Sequence, residues 1–373
     1  MTAFFIAVFV IYFLFLVLMM MGWGRLLKSP LLQKTNHNHL LSVIIPFRDE
    51  ENTLPLLIET LKRQDYPQAR FEVILIDDHS TDDSLKTVKQ LINDIPNFKV
   101  ITGSLTGKKN SISDAIEISS GEIIVTTDAD CELPIAWLKS INTIFQGHNI
   151  KMVVGAVRIQ QSDSFFAKLQ ALEFSSLIGS AGATLALGFP TMCNGANLSY
   201  RKETFVDVSG FEGNEHIASG DDEFLMRKVE KKFGAKSLKF LNDSDAVVTT
   251  IPQPSIKDFF VQRIRWAGKW RHNSSLMTSL LAVFILIFQL SWLVAIGSLF
   301  FQPWNNTIPS LIIVKMILEG FFLFSVSRFM KQKFSLGVFL FLQLTYPLYI
   351  IAVGILSNFI QVSWKDSTIP ANN

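Results

Sequence analysis

Cysteine is almost missing from this sequence, with Cys131 and Cys193 the only two in 373 residues. Two cysteines cannot build a disulfide framework, and neither has a second Cys or a His at metal-ligand spacing, so both read as reduced core thiols. An excess of charge of one sign is missing too, since 34 Lys and Arg stand against 32 Asp and Glu. The resulting net charge of +2 lacks the concentrated basic surplus that nucleic-acid binding needs, which excludes nucleic acid as the main partner. His79, His216 and His272 are not spaced as a metal set and read as local polar structure. Charged residues of both signs make up 18% of the chain against 49% hydrophobic. That balance is too apolar for an ordinary soluble domain and too charged for a pure membrane bundle, so the chain must be divided between the two.

The apolar share is concentrated in four runs. Residues 1–24 carry no charge, and Ala3 to Trp23 is long enough to cross a hydrocarbon core of about 30 Å at about 1.5 Å per residue. The run has no basic start and no small-residue cleavage site, so it reads as a retained span rather than a signal peptide. Further spans are expected at 279–300, 309–327 and 336–357. The third contains Lys315 and Glu319, which are four apart and so meet on one helix face. The plainer reading is an ion pair facing the bundle; the alternative is a role in passage of an acceptor or polymer. Arg25, Lys28 and Lys34 follow the first span, Lys269 and Arg271 precede the second, and Arg328, Lys331 and Lys333 separate the third and fourth. By the positive-inside rule, segment 25–272 is expected in the cytoplasm, with both termini, loop 301–308 and Lys365 outside. The chain is then an integral protein of the plasma (inner) membrane.

Between the spans, strand and helix patterns alternate. Leu41 to Pro46, Phe71 to Ile76, Lys99 to Thr102 and Glu122 to Thr126 read as strands, with helices at 52–63 and 82–95. This order predicts an α/β, mostly parallel, Rossmann-like sheet, whose ligands sit beyond the carboxyl ends of the strands. Those ends are polar: Phe47-Arg48-Asp49-Glu50-Glu51, Asp77-Asp78-His79-Ser80 and Asp128-Ala129-Asp130. A lone Asp-x-Asp is common in solvated turns. Here it follows the basic Gly107-Lys108-Lys109, and two carboxylates at a strand end can offer oxygen ligands to a hard divalent cation holding a diphosphate. Later come Gly220-Asp221-Asp222-Glu223, which could simply complement a helix dipole, and Gln262-Arg263-Ile264-Arg265-Trp266 in an amphipathic segment, 255–272, suited to a lipid boundary. A second amphipathic stretch, Phe165 to Ile178, carries Glu173.

Taken in order, these six motifs resemble the membrane-bound family-2 inverting glycosyltransferases, a group that includes ceramide glucosyltransferases and the synthases of cellulose, hyaluronan and poly-N-acetylglucosamine. The resemblance covers about residues 40–272 and the flanking spans. It implies a GT-A fold and hexosyl transfer from a nucleotide-diphosphate sugar, most simply a UDP-sugar, to a lipid or glycan acceptor of the cell envelope at the cytoplasmic face. Residue by residue, it implies that Phe47, Glu50 and Asp78 line the nucleoside pocket with Asp77 assisting. Lys108 approaches the diphosphate, Asp128 lies near the nucleotide, and Asp130, with Asp128 as a possible second ligand, holds Mg²⁺ or Mn²⁺. Asp222 is then the general base, Gln262, Arg265 and Trp266 close over diphosphate and acceptor, and Asn194 and Gly195 belong to a donor-sugar loop. The same resemblance places Glu173 on another interfacial helix. Two departures are visible: Ser113 stands where the family has Asn, and Gly220-Asp221-Asp222 replaces Thr-Glu-Asp while keeping the final Asp. A processive polysaccharide synthase, with or without a partner membrane subunit, is the alternative within this class. A non-catalytic scaffold and a transporter built on Lys315 and Glu319 are the readings outside it.

Overall fold

The computed structural model describes residues 2–29, 37–214, 220–268, 276–301 and 307–359. Lys34, His216, Lys269, Arg271, His272 and Lys365, all invoked above, lie outside the described residues, as does the end of segment 255–272. Four parallel strands form first: β1 (Leu41–Phe47), β2 (Phe71–Asp77), β3 (Phe98–Thr102) and β4 (Ile123–Thr126). All seven residues of β1 are buried, because helices cover both faces of the sheet. That is why its sequence is a continuous apolar run instead of an alternation. The crossovers are α2 (Leu54–Lys62), α3 (Ser84–Ile92) and α4 (Lys108–Ile118), shorter at both ends than the periodicity suggests for the first two.

The second half of the domain is built from further elements, of which α6, α8 and α9 fall on stretches already legible in the sequence and the others, mostly short, do not. They are β5 (Cys131–Glu132), α5 (Trp137–Phe145), β6 (Met152–Val154), β7 (Val157–Ile159), α6 (Phe165–Leu187), β8 (Leu198–Arg201), α7 (Lys202–Asp207), α8 (Asp221–Phe233), β9 (Leu238–Phe240), β10 (Val248–Thr250) and α9 (Ile256–Gly268). The main sheet runs β3-β2-β1-β4-β8-β6-β9, and β5-β10-β7 forms a small second sheet. Strand β8 is antiparallel to both of its neighbours. The Gly195-Ala196-Asn197 turn that precedes it therefore comes to the carboxyl end of β4.

Among the described residues, four helices are long and apolar enough to cross a membrane: α1 (Thr2–Lys28), α10 (Leu276–Phe301), α11 (Thr307–Phe329) and α12 (Leu336–Leu356). Between α1, α11 and the domain lies α6, which is longer than the amphipathic stretch read from sequence and continues to a left-handed Gly188 cap. Small residues permit its close approach to its neighbours. A Cβ on Gly22 would lie 2.5 Å from the Ala183 carbonyl oxygen, and one on Gly179 would lie 2.6 Å from Val326 Cγ2. Lys315 and Glu319 pair at 2.9 Å inside the bundle, and Gln343 and Tyr12 both donate to the Glu319 carboxylate. Every partner in this cluster belongs to the helices themselves, as the bundle-facing reading requires.

The helix bundle is joined to the domain at specific points. Asn242 donates to the Leu26 carbonyl at 2.6 Å, tying the end of α1 to the loop after β9. The turn after α11 docks on β7: Arg158 donates to the Met330 carbonyl at 2.9 Å and Gln332 to the Ile159 carbonyl at 2.8 Å, while Lys331 pairs with Asp245.

Candidate active site

The loops after β1 and β2 are laced together before any ligand is considered. Asp49 and His79 both adopt left-handed backbone conformations, with φ of 51° and 59°. The turns are held by Asp49 N–H donating to Ser80 Oγ at 3.1 Å, Glu50 N–H to Ser84 Oγ at 2.7 Å and Thr81 N–H to Asp49 Oδ1 at 2.7 Å. Asp78 accepts from the Gly107 N–H at 2.7 Å, which fixes the start of α4 and hence the root of Lys108. Burial raises the Asp78 carboxyl above its ordinary value, and that same hydrogen bond partly offsets the rise.

Lys108 is the meeting point of three elements. Its ammonium lies 2.6 Å from Asp128 Oδ1, beyond β4, and 3.5 Å from Asp221 Oδ2, at the start of α8. Burial works against its charge, but Asp128, Asp221 and Asp222 outweigh that effect and hold its pKa above the usual lysine value. Gly195 packs directly against this pair, since a Cβ there would stand 3.3 Å from Asp221 Oδ2 and 3.5 Å from Lys108 Nζ. The next residue, Asp222, accepts from Gly195 N–H at 3.1 Å and from Glu223 N–H at 2.7 Å, so the carboxylate is held in one orientation at the N-terminus of α8.

Asp130 lies on the other side of this group. Burial, then the charges of Asp128 and Glu50, push its carboxyl up to about 6, while Thr250 donates to it at 3.0 Å. A half-buried carboxylate crowded by two more is a place where a divalent cation relieves repulsion, so the donor set fits Mg²⁺ or Mn²⁺. Among the described residues, the one group of three metal-type side chains with mutually adjacent ligand atoms is elsewhere: His37, His39 and Glu122, at the opposite ends of the strands. There the Glu122 carboxylate is already engaged by His39 at 3.0 Å.

Helix α9 closes the far side. Arg265 is half-buried, and the loss of solvent around its guanidinium lowers its pKa, while Asp128, Asp221 and Asp222 are the charges that counter the effect. Together these elements enclose a cavity of about 610 Å³. Phe47, Glu50, Asp78, Lys108, Asp128, Asp130, Asn194, Gly195, Asp222, Gln262, Arg265 and Trp266 all line it. Asp77 does not: its side chain turns back to accept from Ser80 N–H at 3.0 Å and shapes the turn that carries Asp78. Cys193 is a correction. It is half-buried and lines the cavity, whereas Cys131 is a core thiol as expected. Asn194 uses its side chain to cap its own turn, accepting from Ala196 N–H at 2.9 Å.

Two contributions were missed by the sequence reading. Asn197 anchors the turn after Asn194 by accepting from Trp137 Nε1 at 2.9 Å and donating to the Ala156 carbonyl at 2.8 Å; Gly155 leaves room for it, because a Cβ there would fall 2.2 Å from its side chain. The second is the membrane-side half of the cavity, lined by Phe174, Leu177 and Ile178 of α6, Leu281 of α10, and Tyr346, Tyr349, Ile350 and Val353 of α12. Its lining residues come from helices far apart in sequence, so no local pattern announces it.

Comparison with known proteins agrees with this architecture. Residues 42–208 match the family model described as Glycosyl transferase family 2. A beta-monoglucosyldiacylglycerol synthase of Nostoc sp. (strain PCC 7120) is 26% identical over 235 residues, covering 61% of this chain and 48% of the relative. An undecaprenyl-phosphate 4-deoxy-4-formamido-L-arabinose transferase of Proteus mirabilis is 30% identical over 145 residues, covering 38% and 44%. The chain thus spans about half the length of the curated relatives it matches. Among solved structures, a mannosyltransferase from Pyrobaculum calidifontis in complex with GDP-Man and Mn²⁺ superposes with a TM-score of 0.55 at 16% identity, over 96% of this chain and 99% of the other. The expected GT-A fold with flanking apolar helices is therefore the fold found, and the chain carries a glycosyltransferase domain of family 2.

Proposed function

We propose that the protein transfers a sugar from a nucleotide-diphosphate donor to a lipid-carried acceptor at the membrane surface. The observation that carries this reading is the two-sided cavity: carboxylates, Lys108 and Arg265 at the strand ends, continuous with an apolar wall supplied by α6, α10 and α12. A charged donor suits the first half and a hydrocarbon chain the second. The names of the Nostoc and Proteus relatives, which specify diacylglycerol and undecaprenyl phosphate, support a lipid on the acceptor side.

In this reading Phe47, Glu50 and Asp78 receive the nucleoside, which we take to be uridine. Asp130, with Asp128, would hold a Mg²⁺ or Mn²⁺ ion, whose charge would offset that of the departing diphosphate. Lys108 and Arg265 add positive charge from two other directions. Asp222 takes the proton from the acceptor hydroxyl, which displaces the diphosphate in one step and inverts the anomeric carbon. Its two backbone donors leave the carboxylate fixed for that task.

The test uses the purified protein in native lipid, a panel of labelled nucleotide sugars and Mg²⁺ or Mn²⁺, with Asp222→Asn as control. Label in the organic phase, lost about 100-fold or more in the variant, is the expected result. Label in high-mass material would mean polysaccharide synthesis instead. Equal behaviour of variant and wild type across the panel would overturn the assignment of Asp222 and leave the scaffold reading.

A further inference from the structure

One buried ion pair lies on the cavity wall without a place in that chemistry. Arg263 and Glu173 have side chains only 3% and 4% exposed, and they meet with Arg263 Nη2 donating to Glu173 Oε2 at 2.6 Å and Nε to Oε1 at 3.3 Å. Tyr349 donates its hydroxyl to the same Oε1 at 3.2 Å. The guanidinium also packs over the rings of Trp266, at 4.3 Å from the centroid, and Phe259, at 4.6 Å. Three elements are therefore joined at one point: α6 through Glu173, α9 through Arg263 and α12 through Tyr349.

Burying such a pair is expensive, and apolar residues of similar volume often hold helices together at least as well. Stability alone does not account for it. What the pair adds is direction. Arg263 Nη1 donates to Gln262 Oε1 at 2.5 Å. A guanidinium has no acceptor, so the Gln262 amide must turn its oxygen toward Arg263 and its NH₂ away from it. Gln262 lines the cavity, so its NH₂ is available as a donor for an anionic or hydroxyl oxygen there. The same guanidinium supports Trp266 from beneath.

We propose that Glu173, Arg263 and Tyr349 are positioning residues that orient Gln262 as a hydrogen-bond donor, seat Trp266, and tie both to membrane helix α12. The proposal rests on the transferase reading given above. It makes the acceptor-side helix part of donor-site geometry: displacing Tyr349 displaces the closing motif.

The decisive variant is the double apolar replacement Glu173→Met/Arg263→Met, which keeps volume and removes direction. With the lipid-reconstituted protein, the expected result is a thermal midpoint at or near that of wild type, with kcat for sugar transfer down by about 10- to 100-fold. Binding of the nucleoside diphosphate alone should change by less than about threefold, because the pocket at Asp78 and Asp128 is untouched. Tyr349→Phe removes one hydrogen bond and should lower kcat by about 3- to 10-fold, and it serves as the measurement if the double variant does not fold. Wild-type kcat in either variant overturns the proposal, and so does a loss of nucleoside-diphosphate binding proportional to the loss of kcat. A wild-type protein that transfers no sugar would instead overturn the reading beneath it, and the two failures are distinguished by that control.

Discussion

Asp130 shows what a single residue of this site costs and what it serves. Its ionised form is opposed by burial and by Asp128 and Glu50, so in metal-free protein the native state favours the protonated carboxyl up to about pH 6. A carboxylate pKa raised by folding means that the unfolded chain releases its proton first. The penalty is therefore absent well below pH 4, grows as pH rises toward 6, and is full above that. Asp130→Asn should raise the thermal midpoint of chelator-treated protein at pH 7.5, with the advantage shrinking toward pH 5. It should also abolish the recovery of sugar transfer on adding Mn²⁺, which wild type is expected to show after chelation. A midpoint unchanged at pH 7.5 would show that the carboxylate is not under strain, and Mn²⁺ recovery in the variant would remove Asp130 from the ion. The acidic residues at the strand ends were legible in sequence because strand, turn and carboxylate follow one another locally. The pairing of Glu173 with Arg263 was not, since the two are 90 residues apart with nothing in either neighbourhood to name the other as partner.

At the scale of elements, the contrast between β1 and α6 explains what sequence reading can reach. A strand buried on both faces is a continuous apolar run, and β1 was found almost to its ends. Helix α6 is buried on several sides at once, so its polar and apolar residues have no single face and the amphipathic pattern stops near Ile178 although the helix continues to Leu187. Strands of two to four residues, such as β5, β6 and β10, are too short for any period to show. Close packing of α1 on α6 supplies the test of this layer. Gly22→Ala places a methyl group 2.5 Å from the Ala183 carbonyl oxygen, a backbone atom that cannot swing aside. Overpacking of this kind costs about 1–3 kcal/mol, and the thermal midpoint should fall accordingly. Gly24→Ala, in the same helix with nothing within 4 Å of the added methyl, should leave it unchanged or slightly raised. Equal effects of the two substitutions would mean that α1 and α6 are not in the contact described.

For the whole molecule, the remaining question is which side of the membrane holds the cavity. In the structure the basic ends of two helices lie against the catalytic domain: α1 ends in Arg25 and Lys28 where Asn242 grips Leu26, and the turn carrying Lys331 docks on β7 and pairs with Asp245. Since loops rich in Lys and Arg remain on the cytoplasmic side, we infer that the domain is cytoplasmic, with the connection between α10 and α11 facing outward. Four spans are consistent with this, since each pair returns the chain to the side it left. The inference can be checked in intact cells with a membrane-impermeant thiol reagent, in a Cys193→Ser background where Cys131 is buried. Asn305→Cys should be labelled without permeabilisation, and Lys89→Cys, exposed on α3, only after it. The reverse pattern would place the nucleotide site outside, away from cytoplasmic nucleotide sugars, and would require a donor carried to that face. Labelling at neither position before permeabilisation would break the four-span count while leaving the cytoplasmic site in place.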